Sequence, residues 1–196
     1  MPGDINMAVF EPLTDGQLLR ARQILQQGGV IAYPTEAVWG LGCDPWNQSA
    51  VERILALKNR PVEKGMILVA SSVQQVRFLL DLLPEHLQRK AESHWPGPVT
   101  CLLPDINQQI PAWVRGAHST IAVRVSDHPV VRALCIAADM PLVSTSCNPA
   151  GEEPARNIAQ VSRYFENQLD WIVPGELGGN PKPSRIIDIV TGQQLR

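Results

Sequence analysis

Apolar residues recur every three or four positions along some stretches of this chain and alternate, or run together, along others. From Thr14 onward, Leu18, Ala21, Ile24 and Leu25 share one helical face, with Thr14 placed to cap the start and Gly28-Gly29 the end. Val30-Ile31-Ala32-Tyr33 then reads as a buried strand running into Pro34-Thr35-Glu36, and Gly40-Leu41-Gly42 reads as a turn. A second helix is expected over about 49–57, with Val51, Ile54 and Leu55 inward, stopping at Pro61. Met66-Ile67-Leu68-Val69-Ala70 has strand character, and Ser71 or Ser72 opens a helix carrying Val76, Leu79 and Leu80. A further helix over about 85–95 is broken by Pro96-Gly97-Pro98, after which 99–103 resumes strand character.

The second half repeats the alternation. Ile121, Val123 and Val125 alternate with Ala122 and Arg124, as in a strand with one polar position. Pro129 suits the first turn of a helix reaching about Ala138, and Leu142-Val143 is a strand leading into Ser144-Thr145-Ser146-Cys147-Asn148. Ile158, Val161, Tyr164 and Phe165 mark another helix, followed by the strand Trp171-Ile172-Val173. Residues 186–190, the Thr191-Gly192 turn and 193–196 read as a hairpin. Strands joined by helices, with antiparallel pairing from the hairpin, predict an α/β fold with a mixed sheet. The seventeen prolines fall at junctions and mark no linker, so 1–196 is expected to be a single domain.

Composition narrows the function classes. A net charge of −2 offers no global attraction to nucleic acid or anionic membrane, so such binding would need a local patch. No apolar run approaches the roughly 20 residues of a spanning helix, and Met1-Pro2-Gly3-Asp4-Ile5-Asn6 lacks a charged-then-apolar leader. A cytoplasmic protein without membrane partners is expected. Cys43, Cys101, Cys135 and Cys147 never form C-x-x-C, which argues against a metal or disulfide framework. Cys101, Cys135 and Cys147 read as small packing residues. His86, His94, His118 and His128 lack ligand spacing and suit surface or capping positions.

Two polar clusters stand apart from this folding pattern. Lys58-Asn59-Arg60-Pro61 ends a helical stretch, and the 144–148 run supplies hydroxyl and amide groups after an apolar one. Cations beside hydroxyls suit a polyphosphate and a small polar substrate held together. Each cluster also has a plain structural reading: the cations complement a helix dipole, and the serines make turn chemistry. Arg124 within an apolar alternation is harder to explain so, because a strand arginine faces an anion or solvent. Thr35, Arg124, Ser144, Ser146 and Asn148 all lie near strand ends, where α/β sheets gather ligands.

Pro34-Thr35-Glu36 before Trp39-Gly40-Leu41-Gly42, Lys58-x-Arg60-Pro61, Trp95-Pro96-Gly97-Pro98-Val99-Thr100, Ala122-Val123-Arg124, Ser144-Thr145-Ser146-x-Asn148 and Pro183-Ser184-Arg185-Ile186-Ile187-Asp188 occur in that order. With these motifs the chain resembles the YrdC/TsaC family of threonylcarbamoyl-AMP synthases, in their short single-domain bacterial form. The resemblance implies a twisted α/β sheet around a concave, positively lined cleft. It implies a reaction in which L-threonine, bicarbonate or CO2, and ATP give threonylcarbamoyl-AMP and diphosphate. The product then serves a transferase complex that makes N6-threonylcarbamoyladenosine in tRNA.

By family position, Lys58 and Arg60 are the catalytic candidates on the polyphosphate, with Lys64 a third cation. Thr120, Ser146, Asn148 and Arg196 join them around ATP, and Thr35, Arg124, Ser144 and Ser184 hold threonine, Arg124 pairing its carboxylate. Mg2+ is expected through the ATP phosphates, with no metal ligands from the protein. Leu68-Val69-Ala70 replaces a stretch where longer relatives often carry a histidine, Cys147 replaces a common alanine, and Lys64-Gly65 stands where many relatives have Asn-Pro. Two other readings stay open: a double-stranded RNA-binding or ribosome-maturation module whose local basic cleft takes tRNA or other RNA without forming an adenylate, and a domain like that of hydrogenase-maturation carbamoyltransferases.

Overall fold

A computed structural model describes residues 11–196, and the reading of Met1 to Asn6 lies outside the described residues. Helix α1 (Asp15–Gln26) starts as expected: Thr14 Oγ1 accepts from the Gln17 amide, and Gln17 Oε1 accepts from the Thr14 amide. Strands β1 (Ile31–Pro34) and β2 (Trp39–Gly42) follow, then α2 (Gln48–Lys58), capped by Asn47 and ended by Asn59 in a left-handed conformation at φ 48°. The glycines expected to make a turn lie inside β2. A Cβ on Gly42 would fall 2.6 Å from Val143 O and 2.7 Å from Tyr33 Cε1, so this strand needs glycine to approach its neighbours closely.

The chain continues through β3 (Ile67–Ala70), a 3-10 turn with the short α3 (Arg77–Leu80), α4 (Glu85–Glu92) and β4 (Val99–Pro104). The short helix α5 (Ala112–Arg115), which no periodicity announced, precedes β5 (Thr120–Val125), α6 (Pro129–Ala138) and β6 (Leu142–Ser146). Helix α7 (Ile158–Phe165) and strands β7 (Trp171–Ile172) and β8 (Arg185–Asp188) complete the order. The expected closing hairpin is reduced to a tight return, with Leu195 N donating to Ile186 O at 2.8 Å.

The eight strands form one mixed sheet in the order β7-β1-β2-β6-β3-β5-β4-β8. Its antiparallel pairings are β1/β2, β2/β6, β6/β3 and β5/β4, rather than a terminal hairpin. Strand β6 pairs with β3 along Leu142–Ser144 and with β2 at Thr145 and Ser146, so it joins two groups of strands. Helices cover both faces. On one, Ala21, Leu25, Val131 and Leu134 pack on Ile31, Tyr33, Val69 and Leu142; on the other, Val51, Ile54 and Ala91 pack with Leu68, Val123 and Val143.

Strand parity now places the polar residues. Val69 pairs with Arg124, and Ile67 pairs with both Ala122 and Ser144. Because alternate side chains share a face, Ser144, Ser146, Ile67, Thr120, Ala122 and Arg124 all point to the side that α1 and α6 cover elsewhere.

Candidate active site

Where those helices leave the sheet face open there is a cavity of about 430 Å3, within the range of small-ligand sites. Thr35, Arg60, Lys64, Thr120, Arg124, Ser144, Ser146, Ser184 and Arg196 all line it. Of the expected site residues only Lys58 and Asn148 do not. Lys58 ends α2 with 5% of its surface exposed, and its Nζ donates to Ser146 O, to Asn148 O at 2.8 Å and to Asn148 Oδ1 at 3.4 Å. A buried ammonium must satisfy its donors, and the nearest acceptors belong to the serine-rich loop. In this arrangement Lys58 ties α2 to that loop. Burial, then the charge of Arg60, push its pKa down to about 8, leaving it mostly protonated at neutral pH.

Arg60 donates through Nη2 to Gly65 O at 2.9 Å, while its buried Nε has no hydrogen-bond partner. The wall it supports is a tight backbone approach: Gly65 and Gly116 both have positive φ, and a Cβ on Gly116 would lie 2.5 Å from Gly65 N. Lys64 stands exposed beside it. At the other end, Arg124 is 7% exposed and its Nη1 donates to Glu36 Oε2; Ser126 Oγ donates to Glu36 Oε1. Burial alone would raise the Glu36 carboxyl, but the Arg124 charge and the Ser126 hydroxyl outweigh it and hold the pKa below the ordinary carboxylate value. Thr35 Oγ1 donates to Val38 O at 2.7 Å, Ser184 Oγ lies 2.8 Å from Thr100 Oγ1, and Arg196 Nε donates to Ser184 O at 3.1 Å. The arrangement is one concave site with a buried guanidinium at one end and accessible cations at the other.

The Sua5/YciO/YrdC family profile, described as "telomere recombination", matches residues 23–196. A protein of Marinobacter nauticus named threonylcarbamoyl-AMP synthase is 76% identical over 180 residues, covering 92% of this chain and 95% of that protein. The chain belongs to the Sua5/YciO/YrdC family.

Two solved structures of family members superpose well. Pyrococcus abyssi Sua5 complexed with L-threonine matches at a TM-score of 0.83 and 29% identity, over 91% of this chain and 52% of that one. Escherichia coli YciO matches at 0.79 and 26%, over 91% and 86%.

Within this family frame, several cavity residues had drawn no assignment from sequence. Glu36, known from sequence only as part of the Pro34-Thr35-Glu36 motif, lines the cavity with its carboxyl held below the ordinary range. Arg115, His118 and Lys182 also line the cavity. Lys182 sits between two prolines in a segment without regular structure, and an isolated cation there carries no periodic signal. His128, expected at a surface or capping position, is the residue before α6 but is 3% exposed, with Nε2 3.0 Å from Glu176 O. All four cysteines are buried and unpaired with one another, as small packing residues should be; burial pushes the Cys147 thiol up to about 12, far from a reactive thiolate.

Proposed function

We propose that this protein is a threonylcarbamoyl-AMP synthase, converting L-threonine, bicarbonate or CO2, and ATP into threonylcarbamoyl-AMP and diphosphate. The observation that carries the reading is one cavity with a buried arginine at one end and Arg60 and Lys64 at the other, in a chain 76% identical to a protein of that name. Arg124, whose planar fork matches a carboxylate, holds the amino-acid end, with Thr35, Ser144 and Ser184 around it. Arg60, Lys64, Thr120, Ser146 and Arg196 face the nucleotide, and Lys58 with Asn148 shapes the loop that carries Ser146.

In the reaction the threonine amine takes up CO2 and loses a proton to become a carbamate. A carbamate oxygen then attacks the α-phosphorus, and the bond to the leaving diphosphate breaks. Negative charge accumulates on phosphate oxygens, so Arg60 and Lys64 act by fixed electrostatic stabilisation while the pocket aligns the reactants. Glu36, held ionised by Arg124 and Ser126, is a poor proton acceptor. Among the described residues no group of three or more His, Cys, Asp or Glu could hold a metal. Glu36, the one carboxylate side chain among the described residues lining the cavity, is committed to Arg124 and Ser126. That donor set fits Mg2+ carried on the ATP phosphates, where it supplies charge neutralisation, better than a resident ion.

No helix of the described residues is long and apolar enough to cross a membrane. We place the enzyme in the cytoplasm, handing its adenylate to transferase proteins that modify tRNA. Mass spectrometry of the product formed from MgATP, bicarbonate and threonine tests the reading, with threonylcarbamoyl-AMP expected. A parent protein that makes no adenylate but binds RNA with a steep salt dependence would replace the synthase with the RNA-binding module.

A further inference from the structure

We propose that Glu36 is a positioning residue that presents the unpaired Nη2 of Arg124 to the α-carboxylate of the amino-acid substrate. The inference rests on the synthase reading and adds a residue to it.

A chain of hydrogen bonds fixes the Glu36 carboxylate on both sides. The His128 amide donates to Ser126 Oγ at 3.0 Å, which turns the Ser126 proton toward Glu36 Oε1, while Glu36 Oε2 takes Nη1 of Arg124. The backbone of the same residue is also tied down. Asn180 N donates to Glu36 O at 2.9 Å and Gly178 N to Thr35 O at 3.0 Å. The approach is so close that a Cβ on Gly178 would lie 2.9 Å from Glu36 Cα. Glu36 is therefore held by strand-end backbone, by the turn before α6 and by the segment that crosses over it.

A guanidinium has five donors in a rigid fork. With Nη1 committed to Glu36, the Nε of Arg124 is left buried and without an acceptor. Nε is enclosed as well as unpartnered, so an anion in the cavity meets the remaining nitrogen, Nη2, and Glu36 sets the plane in which that nitrogen lies. An arginine side chain without this hold would keep its charge and lose its aim.

The test is a double-mutant cycle read by calorimetry and steady-state kinetics on the full chain. Glu36→Gln should raise the threonine Kd and KM at least tenfold, leave the ATP Kd within about threefold and leave kcat at saturating threonine near the parent. Ser126→Ala should shift threonine in the same direction by less. In an Arg124→Lys background, Glu36→Gln should add little, because the residue it acts through is already changed. Threonine and ATP affinities falling together, or full additivity with Arg124→Lys, would overturn the positioning role. So would a folded Glu36→Gln variant that binds threonine normally. A parent that binds no threonine would remove the synthase reading and this proposal with it, a result distinct from those three.

Discussion

Lys58 and Arg124 are buried to nearly the same degree, at 5% and 7% exposure, yet their charges are answered in different ways. Lys58 meets backbone carbonyls, which leave its charge uncompensated; Arg124 meets a carboxylate, which does not. Arg124→Lys keeps the charge but cannot hold Glu36 and a ligand carboxylate in one plane, so threonine affinity should fall much further than ATP affinity in calorimetric titrations. The Glu36 pair also has a pH signature. A carboxyl whose folded pKa lies below its ordinary value of 4.5 contributes stability that is complete above that value and lost as pH falls through the folded pKa. Glu36→Gln should therefore be less stable than the parent at pH 7, and the gap should narrow on acidification below 4.5. Urea unfolding across pH measures it. The cations themselves were legible in the sequence, as charge out of place in an apolar pattern. The direction each one faces was not. Lys58 is turned by acceptors 88 and 90 residues away, and nothing near it in sequence says so.

Helices were the most legible elements, because their signals are local: Thr14 and Gln17 form their capping box within one turn. Strands were recovered where apolar runs were continuous, as in β1 and β3, and lost where small residues interrupted them. A glycine that makes a turn and a glycine that admits a neighbouring ring look alike in sequence. In β2 the difference is the Tyr33 side chain, which only the sheet brings close. Gly42→Ala should then destabilise the fold by about 1–3 kcal/mol through overpacking, seen as a lowered urea midpoint with an unchanged slope. The helix-to-loop tie from α2 makes a second prediction. Lys58→Ala orphans the Ser146 and Asn148 carbonyls and should cost roughly 1–3 kcal/mol of stability. If Lys58 acts through the loop, ATP affinity should fall as well, and both losses should appear in one set of thermal-shift titrations. An unchanged melting temperature with lost turnover would instead put its ammonium on the polyphosphate.

Over the whole chain, the α/β class and the single mixed sheet followed from the alternation of elements, whereas the strand order did not. The place of β6 between β2 and β3 depends on pairings such as Ile67 with Ser144 and Gly40 with Ser146, far apart in the chain, which no periodicity encodes. Because β6 joins the two groups of strands, the site's parts are divided between them: Thr35 follows β1, Arg124 and Thr120 belong to β5, and Ser144 and Ser146 lie on the joining strand itself. A substrate held by all three acts as a rivet across a seam. Its affinity then becomes a measure of how rigidly the seam is set, and bound threonine and ATP should slow amide hydrogen exchange at 144–146 more than in α1 or α4, which lie away from it. Uniform slowing across the molecule would mean that the ligands stabilise the fold only as a whole, with no stiffness gained at the join.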